Sequence, residues 1–129
     1  MKMRKVILDG YIELVPSLFK DRRNRVEAVT VNVKKNFISF SIGIVKKAKL
    51  SAEIGEDLNA TIAIHNSKDK FIIVFEEDGK FRMRKSSKVL HRIANAGLIE
   101  SLIQCGFESK RYKAESPEDG VIVVTKEEV

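Results

Sequence analysis

Tryptophan is absent from the chain, cysteine occurs once, and there are two prolines and two histidines in 129 residues. A lone thiol, Cys105, excludes an intramolecular disulfide, and with only His65 and His91 beside it no zinc signature can be assembled. No metal is expected, and a reducing cytoplasm is the expected compartment. Long apolar runs are missing too. Phe71 to Phe75 is among the longest, far short of the roughly 18–20 residues of a spanning helix. The basic start Met1 to Lys5 is followed by only Val6, Ile7 and Leu8 before Asp9, so neither a membrane protein nor a secreted precursor is expected.

Signatures of catalysis are equally scarce. There is no phosphate-binding loop, dinucleotide fingerprint or Gly-x-Ser-x-Gly elbow, and Gly79 and Gly97 stand isolated. Cys105 ends an apolar helical pattern and reads as a buried structural thiol, while His65 and His91 read as ordinary surface or helix-face residues. The acids of Glu76-Glu77-Asp78 and of Glu53, Glu56 and Asp57 adjoin glycine turns, which suits solvated loops better than magnesium ligands. The expectation is a protein that is not an enzyme and needs no cofactor.

What the chain has is charge, unevenly placed. Apolar residues make up 43% and charged residues 33%, the mixture of a folded globular domain, and the net charge is +6. Lys20 to Lys49 holds nine bases against Asp21 and Glu27, a net of +7, and Lys80 to Arg92 holds six bases and no acid. Folded onto one face, the two stretches would form a phosphate-binding surface with the acidic segments turned elsewhere.

No linker-like composition divides the chain, so a single domain over 1–129 is expected. Asp9-Gly10 between Val6–Leu8 and Tyr11–Val15 predicts an N-terminal hairpin. Alternation predicts strands at Val29–Val33 and Phe37–Ile42, joined by a turn at Lys34-Lys35-Asn36. A short helix with Lys46, Lys47 and Lys49 outward is expected at Ile44–Leu50, then strands at Thr61–His65 and Phe71–Phe75. After Asp78-Gly79, Phe81 and Met83 face one way, and Lys80, Arg82 and Arg84 face the other as a cationic stripe. A helix over Ala94–Gln104 and a closing hairpin of Tyr112–Ala114 with Val121–Val124 complete the reading; whether Val89–Ile93 is strand or helix stays open. The fold class is α+β, mostly β: a small barrel-like domain of two β-α-β-β units, 37–88 and 89–129, preceded by an N-terminal β-hairpin region, 1–36.

The order strand, short helix, acidic Gly55-Glu56-Asp57 and hairpin Ile62–Val74 resembles the swapped-hairpin barrel of AbrB-like transition regulators. Its suspected repetition over residues 37–124 is similar to the tandem arrangement of MraZ-type regulators. Two departures stand out: Phe40 lies near the place of a proline that usually ends the family's first strand, and the first thirty residues have no counterpart. The resemblance implies DNA contacts at Lys34, Lys35, Lys46, Lys47 and Lys49, and a second helix, with Glu100 and no lysine, that reads DNA poorly.

Together these features predict a small basic nucleic-acid-binding protein, a duplex-DNA-binding regulator of bacterial or phage type. Arg22, Arg23, Arg25, Lys34, Lys35, Lys46, Lys47 and Lys49 would form one set of contacts and Lys80, Arg82, Arg84, Lys85 and Lys88 the other. Duplex is preferred to single strand because Phe37, Phe40, Phe71, Phe75 and Phe81 are assigned to the core, leaving few stacking platforms. A homodimer is expected from the many strand edges. The alternative is a protein-binding module, such as an inhibitor, adaptor or assembly component, whose basic face meets an acidic partner.

Overall fold

Alternating side chains set the strands. In β1 (Ala28–Asn32) Val29 and Val31 point inward and Thr30 and Asn32 outward, and in β2 (Phe37–Phe40) Ile38 and Phe40 point inward. Between them Asn36 takes a left-handed φ of 57°, which asparagine tolerates, and the Asn32 Oδ1 accepts a hydrogen bond from the Lys35 amide. The structure, a computed structural model, describes residues 26–87 and 89–129. The expected ribbon at Asp9-Gly10, and Arg22, Arg23, Arg25 and Lys88, lie outside them.

Helix α1 (Ile42–Lys47) follows, with Ser41 as its N-cap: the Ser41 Oγ accepts from the Ile44 amide at 3.2 Å. The chain continues through β3 (Asp57–Ile64), β4 (Lys70–Phe75), β5 (Phe81–Lys85), β6 (His91–Ala94), helix α2 (Ala96–Gln104), β7 (Arg111–Glu115) and β8 (Val121–Glu128). The eight strands close an antiparallel barrel in the order β1-β2-β6-β5-β3-β4-β8-β7. Closure leaves no unpaired edge in the ring, and one inward face per strand fills a single core. No helix among the described residues is long and apolar enough to cross a membrane.

The pairing pattern is twofold. Hairpins β1–β2 and β5–β6 correspond, as do β3–β4 and β7–β8, while β2 meets β6 and β4 meets β8 across two opposite seams. Side chains follow the same correspondence 54 residues apart: the caps Ser41 and Asn95, Ile44 and Leu98, Val45 and Ile99, Ala48 and Leu102, and Ala60 and Ala114. The recurring order is therefore strand, strand, helix, strand, strand, over 28–75 and 81–128. It differs from the expected β-α-β-β order because an additional strand, β1 or β5, comes first and pairs with the next, β2 or β6.

β2 and β6 run antiparallel, so the helices that follow them leave from opposite mouths of the barrel. α1 buries Ile44 and Val45 at one mouth and α2 buries Leu98, Ile99 and Leu102 at the other, all in one core with Val29, Ile38, Met83 and Ile93. Each such side chain contributes about 1.5–3 kcal/mol by leaving water. Phe107 packs edge-on between Phe71 (5.2 Å) and Tyr112 (5.3 Å), and the Tyr112 hydroxyl accepts from the Glu108 amide at 2.7 Å.

His91 breaks the apolar pattern. Expected at the surface, it is 5% exposed, because the segment left open is strand β6 and position 91 shares the inward phase of Ile93. Its Nδ1 has no hydrogen-bond partner, and burial, aided by the ammonium of cross-strand neighbour Lys85, holds its pKa below the ordinary value. The unfolded chain then takes up a proton near pH 6.5 that the folded chain refuses. Stability should be unaffected by this group at neutral pH and fall as pH drops below about 6.5, until the folded imidazole itself protonates. Urea unfolding of the parent and of His91→Leu between pH 7.5 and pH 5 tests this, with a shallower loss expected in the variant.

Candidate nucleic-acid interface

Residues 28–52 and 79–99 contain no aspartate or glutamate. The seam between β2 and β6 joins these two stretches, so that β1, β2, β6 and β5 form four adjacent strands without an acid. Lys80, Arg82 and Arg84 are exposed and Met83 is fully buried, as alternation requires. Register then extends the stripe across the barrel: Arg84 pairs with Arg92, Arg92 with Ser39, Ser39 with Thr30 and Thr30 with Arg111. Arg92 and Arg111 are three strand spacings apart, about 14 Å. The small side chains of Ser39 and Thr30 lie between them.

Arg92 is held in place by the strand beside it. Its guanidinium carbon sits 4.6 Å from the centroid of the Phe37 ring, and its Nε is buried without a partner. Stacking restricts the side chain before any ligand arrives, so less rotamer entropy is lost when its fork is used. Phe37, expected in the core, faces outward because the inward phase of β2 belongs to Ile38 and Phe40.

One mouth of the barrel adds further cations. The Asn95 amide donates to the Asn36 carbonyl at 3.0 Å, which ties the Lys34-Lys35 turn to the start of α2, and Lys80 lines the groove there with Phe81, Asn95 and Gly97. Lys34, Lys35, Lys80, Arg82 and Arg84 therefore share a region, together with Arg92. Lys46, Lys47 and Lys49 do not join them: Lys46 and Lys47 end α1 at the opposite mouth, and Lys49 lies beyond the helix, which stops short of the expected Leu50, in a turn where its Nζ is 3.7 Å from Asp119 in an exposed pair of small value. Lys85 departs from the stripe as well. It has the inward phase of Phe81 and Met83 and is half-buried beside His91. The acids are not all turned elsewhere, since β3 begins earlier than expected and places Asp57 directly opposite Arg84.

Arg92 and Arg111 escape a reading of the sequence for different reasons. Arg92 lies in the segment whose secondary structure was open, so its direction was undefined; Arg111 lies among Glu108, Lys110, Lys113 and Glu115, where no charge excess marks it. Only the pairing of β7 with β1 brings it to this face.

A second polar cluster, at the β3–β4 turn, resembles a hydrolytic trio in composition but not in wiring. Ser67 Oγ lies 2.7 Å from His65 Nδ1 and donates to the Asp69 carboxylate. That bond lowers the Asp69 pKa. The hydroxyl has one proton and an obligate acceptor takes it, so none remains for the imidazole to abstract. The network shapes a turn in which Lys68 has a φ of 61°. In comparisons with protein-family models, curated proteins and solved structures, the chain matches none.

Proposed function

We propose that this protein binds duplex nucleic acid, duplex DNA first, through the outer face of β5, β6, β2 and β1 with the adjoining Arg111 of β7. The observation that carries the reading is the absence of acids from four adjacent strands that present Arg82, Arg84 and the Phe37-stacked Arg92. These four strands carry no carboxylate, although Asp57 faces Arg84 from the neighbouring β3, and their cations add their fields on a rigid surface, the condition for displacing the counterions of a polyanion. Arg92 and Arg111 straddle about 14 Å, close to the roughly 12 Å width of a major groove. They can engage the phosphates on its two sides while Ser39 and Thr30 face base edges.

In this reading Lys34, Lys35 and Lys80 extend the phosphate contacts from the adjoining mouth, and the protein acts as a DNA-binding regulator. The twofold order of elements supports kinship with the AbrB-like and MraZ-type regulators, with the second unit rather than the first supplying the arginines. The lysines of α1 then have a minor part, in contrast to the family pattern. The test is fluorescence anisotropy with labelled duplex and single-stranded DNA across a salt series. Duplex binding should weaken linearly on a log–log plot, with a slope near −0.9 for each phosphate contacted. Affinity that ignores salt, or no affinity at low salt, overturns the proposal.

One feature supports the protein-binding alternative. Ile54, Val89 and Leu90 are exposed at 59%, 47% and 38%. Their loops meet beside Lys85, where the Gly55 amide donates to the Lys85 carbonyl and the Ser86 amide to the Leu90 carbonyl. An acidic protein with an apolar centre would fit there, and it becomes the leading reading if both DNA forms fail to bind.

A further inference from the structure

Phe37 is the one large apolar side chain among the outward positions of β1, β2, β5 and β6. An outward aromatic on a sheet is stabilised by aromatic or β-branched side chains directly opposite it on the neighbouring strands. Phe37 has neither. Its cross-strand partners are Ala94 on β6, exposed and no larger than a methyl group, and Asn32 on β1, a polar amide. The ring is left half-buried, with the Arg92 guanidinium stacked 4.6 Å from its centroid.

Cations surround this ring on several sides. The register Met83↔Ile93 sets Arg82 beside Ala94, two strand spacings or about 10 Å from Phe37. Lys34 and Lys35 precede Phe37 in the turn, and all three cations are exposed. Asn32 adds a polar group: its Oδ1 accepts from the Lys35 amide at 2.9 Å, which leaves the N–H donors of its side chain for another acceptor. A base within a duplex cannot use such a place, since both its faces are stacked on neighbours and only edges and phosphates are presented to a protein. An aromatic side chain on a cationic surface finds a stacking partner where a base is unpaired.

We infer that Phe37, with Arg92 stacked on it, is a binding site for one unpaired nucleobase, so that the protein engages a nucleic acid where a strand leaves the duplex. The base stacks on the ring or extends the stack of ring and guanidinium, while Arg82, Lys34 and Lys35 hold the phosphates on either side of it. Arg92 serves both parts, because the edge of its planar fork still reaches phosphate when its face is stacked. Stacking accepts every base, since each has a π-face. Phe37 lies two residues, about 7 Å, along β2 from Ser39, at the α2 mouth. A duplex seated on the row from Arg84 to Arg111 therefore opens or ends over the ring. The inference rests on the nucleic-acid reading and adds to it the form of the substrate.

The test uses the full chain and three labelled DNAs, a blunt duplex, the same duplex with a short single-stranded overhang, and a single strand, with 2-aminopurine in the unpaired positions to report stacking. The overhang should tighten binding by about tenfold over the blunt duplex, within the range of one stacked base, and 2-aminopurine fluorescence should be quenched. Phe37→Leu keeps apolar bulk without the ring; it should lose the advantage and the quenching, keep its circular dichroism, and bind blunt duplex within about threefold of the parent. Phe37→Tyr should retain both. Equal affinity of the parent for the two duplexes, or an advantage that survives Phe37→Leu, overturns the inference and leaves the duplex reading in place. Binding of the single strand alone, with quenching that Phe37→Leu abolishes, supports the inference and overturns the duplex reading. No binding of any form overturns both.

Discussion

Replacing Arg84 and Arg92 together by glutamine should raise the dissociation constant for duplex DNA by more than about a hundredfold at physiological salt. Charge-assisted hydrogen bonds contribute roughly 1.5–3 kcal/mol each, and 1.4 kcal/mol is a factor of ten, so two lost contacts suffice. The salt dependence carries a second signature: its slope should fall by about 1.8, two contacts at about 0.9 each. Arg84 is exposed and Arg92 touches Phe37 only from outside, so melting should change little. Lys46→Gln with Lys47→Gln provides the contrast, since these side chains extend from the opposite mouth. If that pair costs as much as the arginine pair, contact is spread over the whole cationic surface and the strand face is not the binding site. Arg92→Lys should fall between, because lysine keeps the charge but loses the stacked planar fork.

Gly79→Ala should be among the most destabilising substitutions in the barrel. A Cβ on Gly79 would lie 2.6 Å from the Cα of Ala60 and closer still to its backbone nitrogen and carbonyl carbon. Ala60 has no exposure and is locked between two strands, paired to Phe75 on β4 and to Phe81 on β5. Neither side can yield without breaking ladder hydrogen bonds, unlike a clash with the end of a flexible side chain. A loss of at least about 3 kcal/mol is expected, equivalent to roughly 10 °C or more in the melting temperature of a domain this size. Thermal unfolding by circular dichroism measures it directly. A shift under about 2 °C would mean that the turn after β4 approaches β3 less closely than described.

Several local features were legible from residues alone. The Val29–Val31 and Ile38–Phe40 alternation, the Lys34-Lys35-Asn36 turn, the outward Lys80–Arg82–Arg84 stripe and the closing hairpin all match the structure, at slightly different boundaries. A strand's two faces follow from the period of its own side chains, and a turn from the φ that asparagine or glycine accepts. Such signals act over a few residues, and so they survive in the sequence.

The sides of the barrel on which the charges meet are a matter of pairing. That Arg84, Arg92 and Arg111 share one row depends on β5–β6, β6–β2, β2–β1 and β1–β7 registers linking residues up to 81 positions apart. The inward turn of His91, the half-burial of Lys85, the outward Phe37 and the remoteness of Lys46 and Lys47 from Lys34 and Lys35 follow from the same closure. Local composition placed cations and apolar residues on strands of known phase. Long-range pairing, paid for by burying all the inward phases in one core, selected which of those cations became neighbours.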